Sequence, residues 1–245
     1  NRVNLGVDGI ALAPLNSVAQ RKSVQAAVDA GIPVVVFDSA VDGDAHISFV
    51  ATDNEAGGVL AGQYLAEHLE KGQRVLVLRY LQGSASNEAR VRGCIGVLEE
   101  AGLQLAADPY PEDGTVSGSK KTATNVLEGF VKNGKLELDG AFACNLNTAL
   151  GLAEALEDLR KSGVETTLTF VGFDSSPMLL EKLQADELQA LVVQNPKKMG
   201  RLAVETLVKH LRGETVEPLI HTEAQVVTAE RLANEPEVRE LVGLE

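Results

Sequence analysis

The chain has 245 residues, enough for one large or two modest domains, and its 44 % hydrophobic and 23 % charged residues are ordinary for a globular protein. Acidic residues outnumber basic ones by 35 to 22, and the resulting formal charge of −13 argues against nucleic acid or an anionic membrane as a partner. No apolar run reaches the roughly 18 residues of a membrane-spanning helix. The two cysteines, Cys94 and Cys144, have no metal or redox spacing and are interpreted as core residues, with a disulfide as the alternative. The four histidines are scattered, and neither a metal site nor a cofactor is expected.

Short apolar runs alternate with amphipathic helical patterns from the start of the chain, which is the rhythm of a parallel α/β fold. The first apolar run ends at Pro14, and Ser17 is a plausible N-cap for the helix that follows. The later runs show no polar alternation, as expected for strands that helices cover on both faces. The predicted elements of this stretch are strand 7–14, helix 17–31, strand 32–38, strand 47–53 and helix 54–72.

The same alternation then continues to the end of the core, with no low-complexity segment and no Ser/Gly linker. After the last predicted strand we expect only an acidic tail. The predicted strands lie at 74–80, 103–110, 139–145, 167–174, 188–195 and 221–228, and the predicted helices at 88–102, around 120–134, and at 148–163, 176–186 and 196–213.

Two of these strands end in the same three residues. The segment VVVFDSA occupies 34–40, and FVGFDSS occupies 170–176. Because ligands of open parallel sheets bind outside the carboxyl ends of the strands, Asp38 and Asp174 are two edges of a possible site. Duplication of a binding half-site is one interpretation, and Asp-Ser capping of the following helix is the other.

Seven stretches spread over the chain resemble, in family order, the ribose-type periplasmic sugar-binding proteins of ABC importers. The resemblance implies an α/β fold of two doubly wound, Rossmann-like lobes (periplasmic binding protein type 1) that trap a sugar between them. The stretches are GVDGIALAP, AGIPVVVFDS, TDNEAGGVLAGQYL, GSASNEARVRG, FACNLNTALGLAEAL, VGFDSSP and LQALVVQNPKKMG.

The resemblance also implies domain boundaries. Residues 1–52 and 195–223 would form the N-terminal lobe, and residues 53–194 and 224–245 the C-terminal lobe, with the ligand cleft between them. The family begins with two more β-α units than this chain has before its first strand. We therefore expect an incomplete first lobe, in which the first strand has an unpaired edge, and a natural protein that is longer.

Mapped residue by residue, the resemblance implies five ligand-binding residues, which are Asp38, Arg90, Asn145, Asp174 and Gln194. A carboxylate accepts hydrogen bonds from two neighbouring sugar hydroxyls, a guanidinium offers a fixed fork of donors, and amides supply both a donor and an acceptor. Other roles stay open from the residues alone: a solvated helix start for Arg90, a cap for Asn145 and a hinge without ligand contact for Gln194. Arg92 is expected on the surface.

The chain departs from the family pattern at three places. Ser39 stands where ribose binders carry an arginine, which puts ribose itself in question. The loop after residue 107 lacks the family's aromatic residue, although Tyr110 lies near. Leu146 stands where an aspartate often follows the asparagine.

The function implied is that of a substrate-binding protein of an ABC importer, which binds a monosaccharide or related polyol and delivers it to a membrane permease. Such proteins are not enzymes and usually work as monomers; the implied location is periplasmic or extracytoplasmic, lipid-anchored or secreted. The main alternative is the effector-binding domain of a LacI-type regulator, and the sensor domain of a histidine kinase is another. A nucleotide-dependent enzyme is disfavoured because no GxGxxG follows any strand.

Overall fold

A computed structural model describes residues 5–244 as two compact units. The first unit comprises residues 5–54, Gln82–Ser86 and Gln194–Ala224, and the second comprises Glu55–Leu81, Asn87–Val193 and residues 225–244.

The first unit is built on a four-stranded parallel sheet with the strand order β1-β2-β3-β11. Two helices, α1 and α7, pack on it. Among the described residues, strand β1 pairs with β2 on one edge and with no strand on the other. The two further β-α units expected before β1 stay a prediction. The elements are β1 (Ile10–Leu12), α1 (Arg21–Asp29), β2 (Val34–Phe37), β3 (Ser48–Thr52), α7 (Pro196–Leu211) and β11 (Leu219–Thr222).

Strand β2 shows why its sequence lacks polar alternation. Val34 and Val36 pack with Val24 of α1 on one face, whereas Val35 packs with Ala203 of α7 on the other. All three strand valines are fully or almost fully buried. The expectation that helices cover both faces of this strand is therefore confirmed.

The second unit is built on a six-stranded sheet with the order β12-β10-β9-β8-β4-β5, in which the pairs from β10 to β5 are parallel. Its large apolar core gathers Leu and Phe side chains from the strands and from helices on the sheet. The elements are α2 (Asn54–His68), β4 (Arg74–Leu78), α3 (Ala85–Glu100), β5 (Gln104–Ala107), α4 (Val116–Glu128), β6 (Val131–Lys132), β7 (Lys135–Leu136), β8 (Gly140–Ala143), α5 (Leu146–Lys161), β9 (Thr169–Phe173), α6 (Pro177–Gln184), β10 (Ala190–Gln194), β12 (Ala224–Val227), α8 (Ala229–Asn234) and α9 (Pro236–Val242).

The structure corrects the predicted start of the first helix. Helix α1 begins at Arg21, and its N-cap is Gln20 rather than Ser17. The side chain of Asn16 accepts hydrogen bonds from the backbone N–H groups of Val18 and Ala19, at 3.1 and 2.8 Å. This side chain holds a turn that delays the helix, which the hydrophobic periodicity alone did not reveal.

The end of the chain also differs from the prediction. The single strand predicted over 221–228 is two strands, β11 and β12, which belong to different sheets. The predicted acidic tail contains two short helices, of which α8 is capped by the Thr228 side chain and α9 begins with Pro236. The helix predicted around 120–134 starts earlier, at Val116, and ends at Glu128, and a small hairpin of β6 and β7 follows it.

Candidate functional site

The duplicated strand ends adopt the same backbone geometry. Asp38 follows β2 and Asp174 follows β9, and their φ angles are 68° and 70°, a left-handed conformation that few residues other than glycine, asparagine and aspartate adopt. Each aspartate donates its backbone N–H to the carbonyl oxygen of the neighbouring parallel strand, Asp38 to Val50 and Asp174 to Val192, both at 2.9 Å. One strand in each unit therefore ends in an aspartate with a left-handed backbone and an equivalent backbone hydrogen bond.

The alternative interpretation, that Asp-Ser caps the next helix, is wrong at both places. After β9 the cap of α6 is Ser176, whose side-chain oxygen accepts from the backbone N–H of Leu179 at 3.2 Å. After β2 the chain continues to β3 without a helix. The carboxylates are thus not required for capping the elements that follow them.

In the second unit, Asp174 is positioned by two neighbours. Its Oδ2 accepts a hydrogen bond of 3.1 Å from the backbone N–H of Leu146 and lies 4.0 Å from Nη1 of Arg90. The Asp174 side chain keeps 23 % of its surface exposed. Because the contact with Leu146 uses its backbone, the absence of an aspartate at this position does not disturb the arrangement.

Arg90 is not a solvated residue at a helix start. Its side chain is 3 % exposed, and its guanidinium lies over the ring of Phe173, 3.8 Å from the centroid. Its Nη1 also donates to the carbonyl oxygen of Cys144 at 3.1 Å. Arg92 is exposed as expected and forms an ion pair with Glu55, with 2.6 Å between Nη2 and Oε2.

Glycines bring the helix that carries Arg90 close to its neighbour α2. A Cβ atom on Gly58 of α2 would lie 1.9 Å from the carbonyl oxygen of Arg90, and one on Gly93 of α3 would lie 2.2 Å from that of Glu55. The two helix backbones therefore touch at the turn of α3 from which Arg90 extends. This contact fixes the position of the backbone from which the Arg90 side chain extends.

Asn145 acts as the N-cap of α5. Its Oδ1 accepts from the backbone N–H of Thr148 at 3.0 Å, and the Thr148 hydroxyl accepts from the backbone N–H of Asn145, which completes a capping box. The capping role left open by the sequence is therefore present. It fixes the amide carbonyl within the helix turn, so the amide NH₂ group is the part of Asn145 available for another role.

In the first unit, Gln194 is almost buried and is held by Thr52. The Thr52 hydroxyl donates to Oε1 of Gln194 at 2.8 Å. Thr52 also lies 3.3 Å from the hydroxyl of Thr222, oxygen to oxygen. No sequence pattern pointed to either threonine beyond its position at the end of a strand.

Ser39, the departure from the family's arginine, has a structural role. Its side chain is buried, and Oγ accepts from the backbone N–H of Ser86 at 3.2 Å. Ser86 lies in the first turn of α3, where backbone N–H groups lack partners within the helix. The same short segment is held by the backbone N–H of Ser17, which donates to the carbonyl oxygen of Gly83 at 3.0 Å.

A charged network stands near the strand ends of the second unit and was missed by sequence reasoning. Arg79 contacts Asp108 at 2.6 Å and Glu88 at 2.9 Å, and the Tyr110 hydroxyl donates to Glu88 at 2.7 Å. Burial alone would lower the pKa of Arg79, but the hydrogen bond and charge of Asp108 and the charge of Glu88 raise it. Burial and the Glu88 hydrogen bond raise the pKa of Tyr110. Tyr110 is thus fixed in this network, beside the first turn of α3.

The remaining features of the described residues bear on other classes of function. Cys94 and Cys144 are free and fully buried, as expected for core residues. Burial raises the pKa of both thiols, that of Cys144 to about 12. Within residues 5–244 no group of His, Cys, Asp and Glu is arranged to hold a metal ion. No helix in that range is long and apolar enough to cross a membrane.

Two parallel α/β units, each with a strand that ends in a left-handed aspartate, define a binding protein of the periplasmic type 1 fold. The chain belongs to the family described as the periplasmic binding protein domain, whose model matches residues 1–215.

Individual relatives agree with this assignment. The ribose import binding protein of Bacillus subtilis is 28 % identical over 226 residues, which cover 92 % of this chain and 70 % of that protein. The ribose import binding protein of Escherichia coli is 29 % identical over 204 residues, and the match spans 66 % of its length. A solved ABC transporter solute binding protein from Agrobacterium vitis with bound D-fucose is 33 % identical, with a TM-score of 0.89 over 99 % of this chain and 81 % of that one. One from Agrobacterium radiobacter in complex with D-arabinose is 28 % identical, with a TM-score of 0.88 and the same coverage.

Proposed function

We propose that this chain is the substrate-binding protein of an ABC importer and that it binds a monosaccharide or related polyol. The observation that carries the proposal is the matched pair of strand-end carboxylates, Asp38 in the first unit and Asp174 in the second, with the same φ and the same backbone hydrogen bond. A carboxylate at each edge can accept hydrogen bonds from neighbouring hydroxyls of one sugar held in a cleft between the two lobes.

The other proposed ligand residues complement these carboxylates. Arg90 supplies a guanidinium beside Asp174, Asn145 an amide NH₂ group, and Gln194 a second amide. The relatives named above are import and solute-binding proteins, which supports this proposal over the effector domain of a regulator. A membrane permease as partner, an extracytoplasmic location and a monomeric state belong to the same proposal.

A thermal-shift screen tests the proposal. The chain is heated with D-ribose, D-arabinose, D-fucose or myo-inositol at millimolar concentration, and with adenosine as a comparison in which the sugar is joined to a base. A ligand at about 1,000 times its Kd adds about 4 kcal/mol to the free energy of unfolding, which raises the unfolding midpoint clearly. We expect such a rise with at least one of the four sugars and polyols. An unchanged midpoint with all four would overturn the proposal.

A further inference from the structure

Three buried polar side chains meet where the chain passes between its units. Thr52 ends β3 two residues before the chain first leaves the first unit, after Asn54. Gln194 is the first residue after the second return to that unit, and Thr222 ends β11 two residues before the chain last leaves it, after Ala224. Their exposed fractions are 2 %, 8 % and 1 %, respectively. Water therefore has little access to compete for their hydrogen bonds.

The hydroxyl of Thr52 lies at the centre of this group. It is 2.8 Å from Oε1 of Gln194, 3.3 Å from Oγ1 of Thr222 and 3.6 Å from Sδ of Met199. A threonine hydroxyl has one hydrogen to donate. The amide oxygen of Gln194 is an acceptor only and a stronger one than a thioether, so the hydrogen of Thr52 goes to Gln194.

This assignment sets the direction of the hydrogen bonds within the group. Because Thr52 donates to Gln194, its own oxygen is left to accept from the hydroxyl of Thr222. The result is a chain of hydroxyls from Thr222 through Thr52 to the amide oxygen of Gln194. With its oxygen fixed in this way, the amide of Gln194 has its NH₂ group turned away from Thr52.

We propose that Thr52 is the positioning residue for Gln194: it fixes the amide so that the NH₂ group is offered to the ligand as a donor to a sugar oxygen. This inference rests on the proposed function, because it requires Gln194 to contact the ligand. Thr52 itself does not touch the sugar. Through Thr222 the same hydroxyl chain joins the ends of the three strands at the passages between the units.

The experiment is a double-mutant cycle read out as ligand affinity by titration calorimetry. The probe is whichever of D-ribose, D-arabinose, D-fucose and myo-inositol binds the unaltered chain most tightly. Thr52→Val removes the hydroxyl while keeping the shape, and Thr52→Ser keeps the hydroxyl. We expect Thr52→Val to weaken binding about tenfold, which corresponds to about 1.4 kcal/mol, and Thr52→Ser to stay within about twofold of the unaltered chain.

The cycle separates positioning from a general structural effect. In a Gln194→Ala background, Thr52→Val should weaken binding no further, because the amide it positions is gone. Thr206, a buried threonine of the same unit outside the hydroxyl chain, provides the matched control: Thr206→Val should leave affinity unchanged. Thr222→Val keeps the Thr52 hydroxyl but removes the hydroxyl that donates to it, so we expect ligand affinity to fall about twofold to threefold. If Thr52→Val does not fold, Thr222→Val takes its place in the test.

Each contrary outcome has a distinct meaning. Affinity of Thr52→Val equal to that of the unaltered chain would overturn the inference while the proposed function stands. An equal loss in the Gln194→Ala background would also overturn it, since the effect would not pass through Gln194. If the unaltered chain binds none of the four probes, the proposed function fails and the inference fails with it.

Discussion

Asp38 and Asp174 each combine a carboxylate with a left-handed backbone, and the two properties need separate tests. Asparagine tolerates the same φ as aspartate and keeps the shape of the side chain, whereas alanine adds backbone strain in this region. A loss caused by Asp→Asn can therefore be assigned to the charge and the acceptor oxygen rather than to the strand end.

We expect Asp38→Asn and Asp174→Asn each to weaken sugar binding by roughly 2–3 kcal/mol, or about 30–150-fold, because each replaces charge-assisted hydrogen bonds to sugar hydroxyls by neutral ones. Titration calorimetry with the tightest-binding sugar measures the change. Asp186→Asn is the matched control, because Asp186 has a φ of 56° but follows α6 rather than a strand. If both strand-end variants bind like the unaltered chain, the two carboxylates do not contact the ligand.

At this scale the duplicated strand ends alone predicted Asp38 and Asp174 as site residues, whereas Arg90, Asn145 and Gln194 were predicted only through the family resemblance. Neither predicted the surroundings of these side chains. The sequence predicted an exposed Arg92, but it did not predict that the guanidinium of Arg90 lies over the ring of Phe173. The partner of Gln194 lies 142 positions away, at Thr52. No local pattern indicates a contact of that separation.

Among the elements, the contact between α2 and α3 depends on glycine at positions that sequence periodicity reads as ordinary helix. Gly58 faces the backbone of Arg90 with no room for a methyl group, whereas a Cβ atom on Gly96 of α3 would meet nothing within 4 Å. The same substitution should therefore have opposite effects at the two positions.

Gly58→Ala should lower the free energy of unfolding by about 1–3 kcal/mol, because the added methyl group forces the two helices apart. Gly96→Ala should raise it by about 0.5–1 kcal/mol, because alanine favours the helix and meets no neighbour. Urea unfolding followed by circular dichroism measures both changes. Equal stability of the two variants would show that the helices do not touch at Gly58.

Element types followed from the sequence wherever a buried run lay between turn residues, as at β2 and β9. The misplaced boundaries have local causes. The side chain of Asn16 holds a turn that replaces the first turn predicted for α1. The two short helices after Thr228 carry a cap and an N-terminal proline, which are readable signals that the acidic composition obscured.

For the molecule as a whole, the negative charge extends to the strand ends. The first two residues after each strand of the first-unit sheet include Asp38, Asp53 and Glu223 and no basic residue. In the second unit, Arg90 lies beside Asp174, and Arg79 is paired with Asp108 and Glu88. The proposed site therefore offers an anionic ligand no excess of positive charge.

We expect D-galacturonate to bind at least about tenfold more weakly than D-galactose, from which it differs only at C6, because its carboxylate meets the strand-end carboxylates. Affinities measured by calorimetry at low and high salt check the cause, since screening should narrow the gap. Tighter binding of the uronate would mean that a cation of the protein faces that end of the sugar.

The burial of Cys94 and Cys144 has a practical consequence for following any of these events in solution. Burial raises the pKa of both thiols, so both stay protonated near neutral pH, and both side chains are fully buried away from a reagent in solution. A maleimide dye would therefore ignore both native cysteines. A fluorophore can be attached at a single cysteine introduced on the surface without removing either of them.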